Sequence, residues 1–270
     1  MPAKPNYPKF PSMSLAHPRA RDALASDPQM PPRIAGYASV NYRLTAHPNF
    51  PQDPTTTDPL HLRNATHPDH LFDVKTAIRY LQDKYGFGQR YILVGHSCGA
   101  TLAFQTVMGK VMSINRMSTD ESFGPSIEPP FAIVGVEGIY DPRALRDTFK
   151  QYPIYHEFIE AAFGDREDIW DGSSPARVIG QAGIEGGWKN GRLAILAHSM
   201  DDELVDIGQL HIMAKTLKAW EGSGTQEGKN RVLFLDDLKG GHDEIWSQGS
   251  ELARVIVKAI DELRVMEAFN

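Results

Sequence analysis

Residues 91–104 read YILVGHSCGATLAF. A short, wholly apolar run, Tyr91–Val94, enters a turn that carries Gly95-His96-Ser97-Cys98-Gly99, and a nearly all-apolar helical stretch over 100–111 leaves it. An apolar run of that length is a strand buried on both faces, and a helix apolar almost all round is itself buried. The turn has the form G-x-S-x-G in the strand–turn–helix setting that gives the pattern its meaning. Such a bend forces the Ser97 backbone into strain, and small flanking residues remove the Cβ clashes that would block it. The hydroxyl is then presented at a helix N-terminus, where N–H dipoles favour an anion. The Cys98 backbone N–H becomes a donor to an oxyanion formed when Ser97 attacks a carbonyl.

The rest of the chain repeats this rhythm. Phe131–Val136, Leu193–Ala197 and Val232–Leu235 are further short apolar strands, and Gly36–Leu44 reads as a fifth. Helical faces recur over 67–86, with Leu71, Val74, Ala77, Ile78, Leu81 and Tyr85, and over the C-terminal stretch, with Leu252, Val255, Ile256, Ala259, Ile260 and Leu263. Alternating strands and helices predict an α/β fold, a mostly parallel sheet flanked by helices. Thirteen of the 19 prolines lie in residues 1–68. Residues 1–35 are therefore expected to be loosely ordered, apart from a short helix near Arg19–Ser26, and residues 36–270 to form one domain. Between about 141 and 185 the rhythm breaks into an aromatic-rich insertion, the natural place for a cap over a site.

A serine hydroxyl needs a base and an acid that orients the base. After the strand LAILA comes His198-Ser199-Met200-Asp201-Asp202, and after VLFL comes Gly240-Gly241-His242. Both lie just past the carboxyl end of a strand, the edge where open α/β sheets build their sites. The order Ser, acid, His is the chain order of this kind of fold. Asp202 is preferred to Asp201, because the following Leu204-Val205 would pack the loop under the sheet. Cys98 is expected to be a small core residue rather than the nucleophile. His61, His67 and His70 lack metal-ligand spacing, and no metal or cofactor is expected. Arg143 and Arg146 are candidates, by charge alone, for holding a substrate carboxylate.

Composition narrows the partners. Lys plus Arg is 28 against 34 for Asp plus Glu, a net charge of −6, so nucleic acid and anionic membrane surfaces are poor partners. No stretch approaches the roughly 18 apolar residues of a membrane span. The single cysteine excludes an intramolecular disulfide and fits a reducing, cytoplasmic setting.

Residues 36–265 resemble fungal kynurenine formamidase (arylformamidase), of the α/β-hydrolase fold. The resemblance is carried by NYRL at 41–44, HPDHLFDV at 67–74, YGFG at 85–88, VGHSCGATLAFQ at 94–105, VEGIYD at 136–141, YHEFIEAAFG at 155–164, HSMDDELVD at 198–206 and GGHDEIW at 240–246. It implies hydrolysis of N-formyl-L-kynurenine to L-kynurenine and formate without a cofactor, with Ser97, Asp202 and His242 as the triad. The expected partner is that small molecule, with a homodimer left open. Two rival readings are a carboxylesterase of the same fold and an impaired hydrolase-fold binding protein. The family carries a strand and a His-Gly-Gly-x-Trp loop ahead of NYRL, the source of a second oxyanion donor. This sequence has no such loop, so the expectation is an N-terminally shortened chain whose NYRL strand either closes onto its neighbours or hangs loosely.

Overall fold

The computed structural model describes residues 16–26, 33–47, 50–59, 61–113, 123–222 and 230–268. Four strands, β1 (Ile92–His96), β2 (Ala132–Val136), β3 (Leu193–Ser199) and β4 (Arg231–Leu238), form one parallel sheet in the order β1-β2-β3-β4. The register sets His96 beside Val136 and Val136 beside Ala197, so β1 and β2 end level and β3 runs two residues further.

Alternation along the strands sends side chains to two cores. Ile133, Ala194 and Leu196 pack on one face with Ala103 and Phe104 of α3 (Cys98–Gln105) and with Met213, Leu217 and Trp220 of α8 (Gly208–Gly222). Ala132, Val134, Ile195 and Ala197 face the other way, onto Leu252, Val255 and Ala259 of α10 (Ser250–Ala268). With both faces covered, every second residue of a strand is no longer free to be polar, which is why these strands read as unbroken apolar runs. On the α3 side, α2 (Asp69–Tyr85) adds Leu71, Val74 and Ile78 against Leu102, and its end is marked by Gly86 in the left-handed conformation at φ 65°. On the α10 side, α1 (Ala16–Ala25) buries Ala20 and Leu24.

Two expectations need correction. Residues 36–44 are extended but pair with no strand, so the sheet has four strands among the described residues rather than five. Val40 and Tyr42 lie against the cluster around α2, but Leu44, two residues on, is exposed like Tyr37, so no period-two alternation runs through GYASVNYRL. A strand is defined by a hydrogen-bonded neighbour, and among the described residues β1 pairs only with β2. The segment is held by side chains instead: Arg43 binds Asp73 through its backbone N–H and its guanidinium, each bond at 2.9 Å. The second correction concerns α3, which stops at Gln105 rather than running to Val111. Beyond it, Gly109 and Lys110 donate their N–H groups to Gly183 and Ala182, so tertiary bonds replace the helical ones.

Between β2 and β3 lie α4 (Pro142–Thr148), α5 (Ile154–Phe163), α6 (Glu167–Ser173), a 3-10 turn (Gly180–Ala182) and α7 (Ile184–Gly187). Their aromatics mainly pack on one another. Phe149 stacks on Tyr155 at 4.5 Å, and Trp170 is fully buried with Ile159 and Ile169. The Tyr155 hydroxyl donates to the Leu204 carbonyl at 2.8 Å, tying these helices to the loop after β3. No helix among the described residues is long and apolar enough to cross a membrane.

Candidate active site

Ser97 stands between β1 and α3 with φ 54° and ψ −124°, a conformation that side chains rarely adopt. Such strain costs on the order of 1–3 kcal/mol and persists only where the surroundings impose it. Here the Ser97 N–H donates to the Val136 carbonyl at 2.9 Å, and the Ser97 carbonyl accepts from Ala100 at 3.0 Å. The bend is so tight that a Cβ on Gly95 would be driven into the Gly99 carbonyl. Gly99 itself has open space where a Cβ would point, so only the first of the two flanking glycines is required by packing.

Cys98 is exposed, contrary to the expectation of a core residue. It opens α3 on the β1 side of the sheet, where no second strand lies alongside among the described residues. Its N–H belongs to the first turn of the helix, whose donors have no intrahelical partner.

His242 begins α9 (His242–Gln248), and its Nδ1 lies 2.9 Å from Asp202 Oδ2. Both side chains are almost fully buried. The loop after β3 aims Asp202: its Oδ1 accepts from the N–H groups of Leu204 and Val205, each at 2.9 Å, leaving Oδ2 for the imidazole. Asp201 is exposed and points elsewhere. Of the two apolar residues expected to anchor this loop, Val205 is buried and Leu204 is not. The Ser199 hydroxyl donates to the Gly240 carbonyl at 2.6 Å, joining this loop to the one before His242. Ser97 follows directly on His96, whose ring lies 4.5 Å from that of His242. His242 and Asp202 are thus joined at the carboxyl end of the sheet, where Ser97 follows β1.

Charge follows from this geometry. Burial alone would depress the His242 pKa, but the hydrogen bond and charge of Asp202, with Glu137 behind, outweigh it and raise it above 6.5. Burial would raise Asp202, yet the bonds from His242, Val205 and Leu204 hold it below the ordinary carboxylate value. His96 is pushed down to about 4 by burial and by the neighbouring His242, so it is neutral near pH 7.

Glu137 is the residue that sequence reasoning missed. It follows β2, is wholly buried, and has a backbone φ of 48°. Its Oε2 lies 3.1 Å from His96 Nε2 and 3.7 Å from His242 Nδ1. Its Oε1 has no hydrogen-bond partner, which costs about 1–3 kcal/mol in a buried group. Burial first, and the Asp202 charge second, push its pKa up to about 8. The signal was available, since VEGIYD places an acid just past an apolar strand, the position that singled out Asp202. His96, Glu137 and His242 each bring one potential metal-ligand atom within 4.8 Å of the others. His67 and His70 belong elsewhere: His67 donates to the Met112 carbonyl at 2.8 Å, and His70 bonds Thr45. Arg143 and Arg146 are engaged by acids around them, Arg143 by Glu167 and Asp171 and Arg146 by Asp147 and Glu167.

No protein-family model matches the chain. A kynurenine formamidase-like hydrolase of Fusarium equiseti is 43% identical over 234 residues, spanning 86% of this chain and 72% of that protein. A kynurenine formamidase of Aspergillus versicolor is 38% identical over 242 residues, 84% of this chain and 75% of that protein. Among solved structures, a truncated form of a carbohydrate esterase from gut microbiota superimposes with a TM-score of 0.50 at 17% identity, over 74% of this chain and 72% of that one. The strained serine turn, the parallel sheet behind it and these two sequence relatives together place the chain in the kynurenine formamidase family of α/β-hydrolases.

Proposed function

We propose that the protein is a serine hydrolase that cleaves N-formyl-L-kynurenine to L-kynurenine and formate. The observation that carries the reading is the buried 2.9 Å bond between His242 Nδ1 and Asp202 Oδ2, set beside a serine at φ 54°. That bond fixes the tautomer that leaves Nε2 free to accept a proton.

Ser97 Oγ attacks the formyl carbon while its proton passes to His242 Nε2. The ring is then a cation, with Asp202 facing its Nδ1–H. The carbonyl oxygen becomes an oxyanion within reach of the Cys98 N–H at the start of α3. The C–N bond breaks as Nε2 returns the proton to the aniline nitrogen, and kynurenine leaves. Water, deprotonated by the same His242, then attacks the formyl ester, releasing formate and restoring Ser97. The names of the two fungal relatives support a formamide as the substrate. The lone cysteine supports a reducing, cytoplasmic setting.

The test is release of formate and kynurenine by the purified protein, run beside short-chain nitrophenyl esters. Turnover of the formamide, abolished in Ser97→Ala, is expected. Turnover of the esters alone would replace this reading with a carboxylesterase, and failure of Ser97 to react with a fluorophosphonate would replace it with a binding protein.

A further inference from the structure

Two carboxyls, not one, converge on the far side of the His242 ring. They arrive from adjacent strands: Asp202 from the loop after β3 and Glu137 from the end of β2. Asp202 is 2.9 Å from Nδ1 and Glu137 is 3.7 Å from the same atom. The Glu137 N–H donates to the Ala197 carbonyl at 2.8 Å, so the backbone that carries the acid is pinned to β3 in its left-handed conformation. A buried carboxyl with an orphaned oxygen and a strained backbone is not what packing alone selects. Strain of this kind concentrates where a side chain has to be held at one place.

We propose that Glu137 is a positioning residue for His242: its carboxyl stands beside Asp202 near the Nδ1 edge of the ring and, in its ionised form, adds to Asp202 in stabilising the imidazolium. This rests on the reading of Ser97, His242 and Asp202 given above. The same cluster has the two-histidine, one-carboxylate donor set of a metal site. The His242 nitrogen that lies 3.7 Å from Glu137 is Nδ1, already bonded to Asp202, so a cation taken by that nitrogen would have to break the 2.9 Å bond.

The groups facing Glu137 explain how two acids coexist. His96 at the end of β1 lies 3.1 Å from it. Asp202 and Glu203 in the loop after β3 push its pKa up, while His242 at the start of α9 and the Ser199 backbone pull it down. Asp202 is held as the carboxylate, so near pH 7 Glu137 keeps its proton, within 3.1 Å of the neutral His96. Removing that proton adds a negative charge beside the His242 ring, which makes the ring a stronger base and its cation more stable. Glu137 and His242 therefore titrate as a linked set.

The experiment is a double-mutant cycle on hydrolysis of N-formyl-L-kynurenine, with Glu137→Gln, Asp202→Asn and the double variant, each followed from pH 5 to pH 10. Replacing the orienting aspartate of a triad usually lowers kcat by about 10⁴-fold. Here Asp202→Asn is expected to lower kcat/KM by only about 10²-fold, because Glu137 remains. Glu137→Gln should lower it by less than about tenfold in the native background and by more than about 30-fold in the Asp202→Asn background, the non-additivity of groups that act together. The native rate should show an inflection near pH 8 that Glu137→Gln lacks. Equal factors for Glu137→Gln in the two backgrounds would overturn the proposal. A second arm follows the His242 Nδ1 proton by NMR in the Ser97→Ala protein, where no turnover occurs. Two steps in that resonance are expected, one from the ring itself and one as Glu137 ionises near pH 8, and a single step overturns the proposal even if Glu137→Gln does not fold. Because this arm needs no activity, a failure of the substrate reading is seen separately from a failure of Glu137.

Discussion

The two sides of the Ser97 turn are built differently. On the β2 side the turn is closed in. Gly95 admits no Cβ, the Ser97 N–H is bonded to Val136, and the acids and the imidazole of the site are buried. On the β1 side it is open. Cys98 is exposed, Gly99 faces empty space, and the nearby extended segment 36–44 joins no strand. The closed side holds the groups that must be desolvated to move protons at neutral pH. The open side holds backbone, whose one donor to an oxyanion is supplied by the local turn. The chemistry of proton transfer is therefore fixed by tertiary packing, while the presentation of the nucleophile is fixed within about ten residues of chain.

Disruptions of the closed side should far outweigh those of the open side. Ser97→Ala should lower formamide turnover by about 10⁴-fold or more, measured as formate release, and should abolish fluorophosphonate labelling. A smaller loss would place the nucleophile elsewhere. The acid limb of kcat/KM should fall about tenfold per pH unit below the pKa of His242, because the protonated ring cannot accept the serine proton. That pKa lies above 6.5, so the fall begins on the neutral side of the ordinary histidine value. In Asp202→Asn the limb should move to lower pH, since the acid that raises the pKa is gone. An unmoved limb would show that another group governs it.

Stability should separate the two sides as well. Gly95→Ala should destabilise the fold by about 1–3 kcal/mol through overpacking against the Gly99 backbone, read from denaturant unfolding. Arg43→Ala on the open side should cost about 1 kcal/mol, because Asp73 is buried and loses its partner while Arg43 is half exposed. Gly99→Ala should change stability by less than about 0.5 kcal/mol. A Gly99→Ala effect as large as that of Gly95→Ala would mean that the open side is covered after all.

The sheet was readable because its strands are buried on both faces. FAIVGV, LAILA and VLFL carry no polar residue and so admit little else. Their limits were close, with the last strand running from Arg231 to Leu238 rather than Val232 to Leu235. Residues 36–44 stay outside the sheet because a strand-like local sequence says nothing about whether a hydrogen-bonded neighbour is at hand. The end of α3 was missed for a related reason: the bonds that stop it come from Ala182 and Gly183, some 70 residues away. Asp202 could be chosen over Asp201 from the loop that follows it, whereas Glu137, though just past an apolar strand, has no local feature that says which side chain it faces.

Sequence alone determined the serine turn, the apolar strands and the order of serine, acid and histidine, because each is written in neighbouring residues. Tertiary structure alone decided that Cys98 faces solvent, that residues 36–44 stay outside the sheet, and that Glu137 lies beside Asp202 near His242. The reason is physical. A backbone bend is a matter of local sterics, but exposure, strand pairing and the ionisation of a buried acid depend on what the rest of the chain brings alongside.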